Sequence, residues 1–259
     1  MRSRRLFLGI LAIVFAASAA KTIATGASMA AMAEMAMPGG WTMSHMWMRM
    51  PGQTWLDTTA SFTGMWLVMM AAMMLPSLTP SLLRYRESVG AKGAGRIGCL
   101  TALVGAGCVA VWAAVGLLVF PFGVALADVT MREPEVSRTV PIVIGATVLA
   151  AGALQHTRWK ARQLAVCRGA PGPHLTTRLG TAGAWSHGLH LGLACVQSCA
   201  GLMAVALSLG IMDLRVMAAV TATITVERLT PAGLRVARTT GVIGVGTGVL
   251  LIARAIGIG

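Results

Sequence analysis

Residues 65–76 read MWLVMMAAMMLP. Five methionines, Met65, Met69, Met70, Met73 and Met74, fall within ten positions, and Pro76 closes the run. No charge interrupts it, and the uncharged stretch extends outward over 58–83. A membrane-spanning helix needs roughly 20 apolar residues, so this stretch alone is long enough to cross a bilayer. Within it, Met65, Met69 and Met73 recur at i, i+4, i+8 and share one helix face, which Met70 and Met74 broaden. Such a stripe serves either as adaptable packing or as a row of soft thioether ligands.

Similar runs recur along the chain, at about 6–27, 97–120, 139–156, 186–210, 214–229 and 239–257. With 58–83 they make about seven candidate transmembrane helices, of which 214–229 is the shortest. Composition agrees: 56% of the 259 residues are hydrophobic and 11% charged, and the mean hydropathy is +0.75. The expected fold is an all-α polytopic membrane protein, because lipid leaves backbone amides no partner outside their own helix. The expected organisation is an N-terminal anchor over 1–27, an external Met-rich segment over 28–57 and a six-helix bundle over 58–259. The first run, basic at its start and followed by ASAA at 17–20, also fits a secretory signal whose removal would leave six helices. An uncleaved anchor is the preferred reading.

The net charge of +13 would suit nucleic acid in a soluble chain. Here the basic residues fall in alternate connectors between apolar runs. Arg84, Arg86, Lys92 and Arg96 follow the second run; Arg158, Lys160, Arg162, Arg168 and Arg178 follow the fourth; Arg228, Arg235 and Arg238 follow the sixth. The other connectors offset Arg49, Arg132 and Arg138 with Glu34, Asp57, Asp128, Glu133 and Glu135. By the positive-inside rule this places the N-terminus in the cytoplasm of a bacterial inner membrane. The lipid bilayer is then the expected partner, and nucleic acid is not. No phosphate-binding loop is present, so no nucleotide is expected. Neither a Ser–His arrangement nor paired carboxylates stands out, so the protein is expected not to be an enzyme.

Residues that favour metal fall in three places. Eight of the 18 methionines lie within 29–50. In WTMSHMWMRM (41–50), Met43, His45, Met46, Met48 and Met50 could capture a soft cation outside the membrane. Trp41, Trp47 and Trp55 fit equally well with a segment lying in the interface. The fifth run reads WSHGLHLGLACVQSCAGLM (185–203). There Cys195, Cys199 and Met203 are successive i+4 neighbours, with His190 and His187 one to two turns towards the N-terminal end. These residues could complete a site with the methionines of 65–74. In TVERLTP (225–231), Glu227 is an acidic residue at membrane depth; it could orient a histidine, or simply pair with Arg228 or another arginine. The stretch QHTRWKARQLAVCRG (155–169) reads as an amphipathic interfacial segment anchored by Trp159. Five cysteines in mostly apolar settings are free thiols, not a disulfide framework.

Three segments, GMWLVMMAAMMLPS (64–77), HGLHLGLACVQSCAGLMAVALSLGIMDLRVMAA (187–219) and VERLTP (226–231), resemble a bacterial family of uncharacterised proteins predicted to be metal-binding integral membrane proteins. The resemblance covers roughly 40–256. It implies a pattern on Met69, Met70, Met73, Met74, Pro76, His187, Cys195, Cys199, Met203, Met212 and Glu227. Many relatives have paired cysteines where this chain has Ser198–Cys199, and a CLxxC motif where it has Gln163 and then Cys167. With two thiols fewer, the expected ligand shifts from zinc towards Cu(I). The expectation is a membrane copper-binding protein acting in transport, handling or delivery. Its partner would be a membrane cuproenzyme or a periplasmic copper carrier. The alternative is an accessory subunit or assembly factor of a larger membrane complex, with no metal of its own.

Overall fold

The computed structural model describes residues 2–30, 35–49, 52–91, 96–168 and 180–257. Met32, Glu34, Met50, Lys92 and Arg178, used in the sequence reading, lie outside them. The described residues form eight α-helices: α1 (Arg2–Ala30), α2 (Trp55–Ala91), α3 (Ile97–Arg132), α4 (Pro134–Leu154), α5 (Arg158–Cys167), α6 (Thr181–Leu209), α7 (Leu214–Leu229) and α8 (Gly233–Ala255). Six of them, α1, α2, α3, α4, α6 and α8, are long and apolar enough to cross a membrane. The expected seventh span, 214–229, forms α7, but its 16 residues extend only about 24 Å, short of the ~30 Å hydrocarbon core.

The fold is not purely helical. β1 (Met35–Met37) and β2 (Trp41–Met43) pair antiparallel, with Met35 opposite Met43 and Met37 opposite Trp41. Gly39 and Gly40 turn the hairpin at φ of 99° and 75°, which glycine adopts without strain. The Trp41 indole donates to the Ser137 carbonyl at 3.0 Å and the Ser137 hydroxyl donates to the Pro38 carbonyl at 2.9 Å, clamping the hairpin to the start of α4.

Pro76 and Pro80 both lie inside α2, and neither ends it. Nearby hydroxyls turn back onto the helix: Ser77 donates to the Met74 carbonyl at 3.0 Å and Thr79 to that of Leu75 at 2.7 Å. In apolar surroundings the backbone has no better partner, so the helix continues past a residue that lacks one amide. The stretch 155–169 does not simply lie along an interface either. Thr157 caps α5 by accepting from the Lys160 amide at 3.2 Å. The face formed by Lys160, Leu164 and Cys167 then turns into the bundle, leaving Trp159 exposed.

Helix α6 is the hub. It packs on α3, α4, α5 and α7, while α4 lies along α8 and α1 lies along α2. Glycines bring these helices close. A Cβ on Gly107 of α3 would fall 2.8 Å from the Trp185 carbonyl oxygen of α6, and one on Gly248 of α8 would fall 2.6 Å from the Leu149 Cβ of α4. The main core gathers the α2 methionines, Trp66, Cys108, Trp112, Cys195, Cys199, Met203 and Met217. A second core, around Leu82, Val104, Ala184 and Leu191, lies towards the N-terminal end of α6.

Candidate metal centre

Helices α2 and α6 each pack on α3 and α7, and their long side chains meet in the core between them. The Met69, Met70, Met73 and Met74 side chains are all at most 2% exposed, and Cys195, Cys199 and Met203 at most 5%. The Cys195 thiol points at the Met74 thioether with 3.8 Å between the sulfurs. One turn on, the Cys199 thiol donates to the Cys195 carbonyl at 3.0 Å. Met65 is half-buried at the edge of the same core, as is Met212. On α3, Cys108 and Trp112 join the cluster, and the Trp66 indole donates to the Trp112 carbonyl at 2.9 Å.

A cation stands beside these sulfurs. Arg228 of α7 is 7% exposed. Its guanidinium donates to the Cys195 sulfur at 3.2 Å, the Cys195 carbonyl at 3.0 Å, the Ser198 hydroxyl at 2.7 Å and the Ser77 hydroxyl at 3.0 Å. One residue thereby ties together α2, α6 and α7. Next to it, Glu227 pairs with the Lys160 ammonium at 2.7 Å and accepts from the Gln155 amide at 2.9 Å. Lys160 also donates to the Ser198 carbonyl. Glu227 thus finds a lysine from α5, in place of the arginine or histidine that its sequence position suggested. Cys167 comes within 3.4 Å of the Ser198 hydroxyl. Burial pushes its thiol above the ordinary value, and the nearby Arg228 charge opposes this only in part.

The histidines stand apart from the sulfurs. His187 stacks on Tyr85 with ring centroids 5.1 Å apart. It is eight residues, about 12 Å of helix, before Cys195. His190 is exposed, with its ring nitrogen 2.7 Å from the Ser186 carbonyl oxygen. The expected site residues therefore fall into three groups: a sulfur cluster, a buried Lys160–Glu227 pair and a histidine end. The described part of the segment expected to be external is largely folded inward. Met43 is 4% exposed, sealed with Met37 against Ala127. Met48 packs on that small core, Met46 packs on the main one, and His45 opens a 3-10 turn half-buried. Met50 lies outside the described residues.

Among the described residues, no three His, Cys, Asp or Glu side chains are grouped to hold a metal. Any ion bound in the bundle would need thioether sulfur. The donor set fits such an ion: enclosed thiol and thioether groups are the chemistry that suits Cu(I).

Sequence reasoning missed Arg228, Lys160, Ser77, Ser198, Cys108 and Trp112. One signal was readable: Lys160, Leu164 and Cys167 fall at i, i+4, i+7, an inward stripe that begins with a lysine and so demands a buried partner.

No curated protein and no solved structure matches the chain. Residues 63–251, which carry α2 from its methionine stripe through most of α8, match the PpoB2 family, described as copper chaperone. The match spans well over half of the sequence and takes in every residue of the sulfur cluster and of the charged group beside it, so the chain belongs to the PpoB2 copper chaperone family.

Proposed function

We propose that this copper chaperone is a multi-pass protein of the bacterial inner membrane that carries Cu(I) as cargo between α2 and α6. It passes the ion to a membrane cuproenzyme or exchanges it with a periplasmic copper carrier, and it is not itself an enzyme. The observation that carries this reading is the 3.8 Å approach of the Met74 and Cys195 sulfurs inside a buried cluster of thioethers and thiols. The two residues are 121 positions apart in the chain. Packing Met against Cys across two helices gives a singly charged soft ion two kinds of sulfur at once. The thiol supplies the stronger bond. The thioethers surround the ion without adding charge, which suits cargo that must later leave.

Copper content of the detergent-purified protein tests the proposal. Cu(I) is added under reducing conditions, unbound metal is washed away and bound metal is counted by mass spectrometry. Wild type is expected to retain copper near one ion per chain. Cys195→Ser/Cys199→Ser and Met69→Leu/Met73→Leu/Met74→Leu variants are each expected to lose most of it. Wild-type protein that retains no copper would sink the intramembrane site, as would variants that retain it in full.

A further inference from the structure

We propose that Arg228 is the residue that restricts the sulfur cluster to singly charged soft cations. The inference rests on the Cu(I) reading above and adds what sets the charge of the accepted ion. Thiol and thioether sulfur by themselves bind several thiophilic ions, singly and doubly charged alike. The surroundings have to separate these ions, and here they include a fixed positive charge.

Three features hold that charge in place. First, three of the four Arg228 hydrogen bonds avoid sulfur altogether: they go to Ser77, Ser198 and the Cys195 carbonyl. Occupation of the Cys195 sulfur by a metal leaves these bonds intact, so the guanidinium stays. Second, the described ion pairs are Arg132–Asp128, Arg138–Glu135 and Lys160–Glu227. None involves Arg228. The nearest carboxylate in sequence, Glu227, is engaged by Lys160 and Gln155, so its charge is offset elsewhere. Third, Arg228 is buried beside the ligand, where water screens little.

The geometry then sets the size of the effect. Arg228 is 3.2 Å from the Cys195 sulfur, and thiophilic metals sit about 2.3 Å from thiolate sulfur. A bound ion lies within about 6 Å of the guanidinium. At an effective dielectric constant of about 20, each unit of charge on the ion weakens binding there by roughly 100-fold. The thioethers bring no compensating charge, Cys199 keeps its proton on the Cys195 carbonyl, and Cys195 brings at most one negative charge, which Arg228 offsets. A divalent ion therefore meets about one such factor more than Cu(I) does.

The test uses the full-length protein in detergent, with Ag(I) standing in for Cu(I) and Cd(II) as a thiophilic divalent probe, each titrated and counted as retained metal. Wild type is expected to bind Ag(I) at least about 100-fold more tightly than Cd(II). Arg228→Gln is expected to bind Ag(I) at least as tightly as wild type and to narrow that ratio about 100-fold by gaining more in Cd(II) affinity. Arg228→Lys, which keeps the charge, is expected to hold the ratio near wild type. An Arg228→Gln protein that binds Ag(I) with an unchanged ratio overturns the role of Arg228 and leaves the copper site standing. Wild type that binds Cd(II) as tightly as Ag(I) does the same, and it decides the matter even where Arg228→Gln fails to fold. Wild type that binds neither ion overturns the site itself.

Discussion

Glu227 is buried at 1% exposure with Lys160 2.7 Å away, and the two residues are 67 positions apart in the chain. Two ions in a dry interior are stable only together, since the survivor of a broken pair keeps its charge without water. Glu227→Gln is therefore expected to destabilise the folded protein by about 3–5 kcal/mol, because Lys160 is left charged beside a neutral amide. Adding Lys160→Met should recover most of that loss. Denaturant unfolding in detergent, followed by circular dichroism, measures both variants, and a single variant as stable as wild type would show that the pair contributes little. The same residues mark what the sequence could tell. The i+4 ladder of Cys195, Cys199 and Met203 was legible because a helix fixes which of its own residues share a face. The pairing of Arg228 with Ser77, 151 positions away, was not legible, because it depends on how α2, α6 and α7 pack. A charge next to an apolar segment reads as a connector residue until a partner helix is placed beside it.

Among the elements, helix identity was legible and helix extent was not. Apolar runs located all six long helices, yet α3 continues to Arg132 where the run was read to stop near residue 120. Its last turns carry Asp128 and Arg132, which pair at 2.9 Å on the exposed surface. Polarity ended the apolar signal there without ending the helix. The α4–α8 contact depends on glycine at several levels. A Cβ on Gly152 would sit 2.6 Å from the Val245 amide nitrogen and 2.8 Å from the Gly241 carbonyl oxygen, both backbone atoms that cannot swing aside. Gly152→Val is expected to force the two helices apart and to lower stability by about 1–3 kcal/mol or more. Copper retention should change less than stability, because the sulfur cluster draws on α2, α3, α6 and α7 and not on α8. Unfolding curves and metal content measured on one preparation separate the two effects; a variant that keeps full stability would mean the interface has slack.

At the scale of the whole molecule, the chain presents two chemically different ends. Arg4 and Arg5 open α1, Arg84 and Arg86 close α2, Arg96 precedes α3, Arg158, Arg162 and Arg168 surround α5, and Arg235 and Arg238 begin α8. Following the helices in alternation, the short α7 included, brings all of these to one end, and the antiparallel contact of α4 with α8, Gly145 against Ile252 and Gly152 against Val245, agrees. The opposite end carries the hairpin, Asp57, Asp128, Glu133, Glu135 and Asp213, with acidic and basic residues in near balance. By the positive-inside rule we propose that the arginine end faces the cytoplasm and the hairpin lies outside. The Cys195–Met74 contact then lies between the ends, with the His187–Tyr85 stack towards the arginine end. Native Cys99 tests this orientation without any substitution: it is exposed at the start of α3, whereas Cys108, Cys167, Cys195 and Cys199 are buried. A membrane-impermeant maleimide is expected to label Cys99 in inverted membrane vesicles and to leave it unmodified in right-side-out ones. Cys99→Ser/Gln53→Cys, whose new thiol is exposed just before α2, should show the reverse. The opposite pattern at both positions would place the hairpin in the cytoplasm. Copper would then have to reach the sulfur cluster from the other face, and the carrier that exchanges it could not be periplasmic.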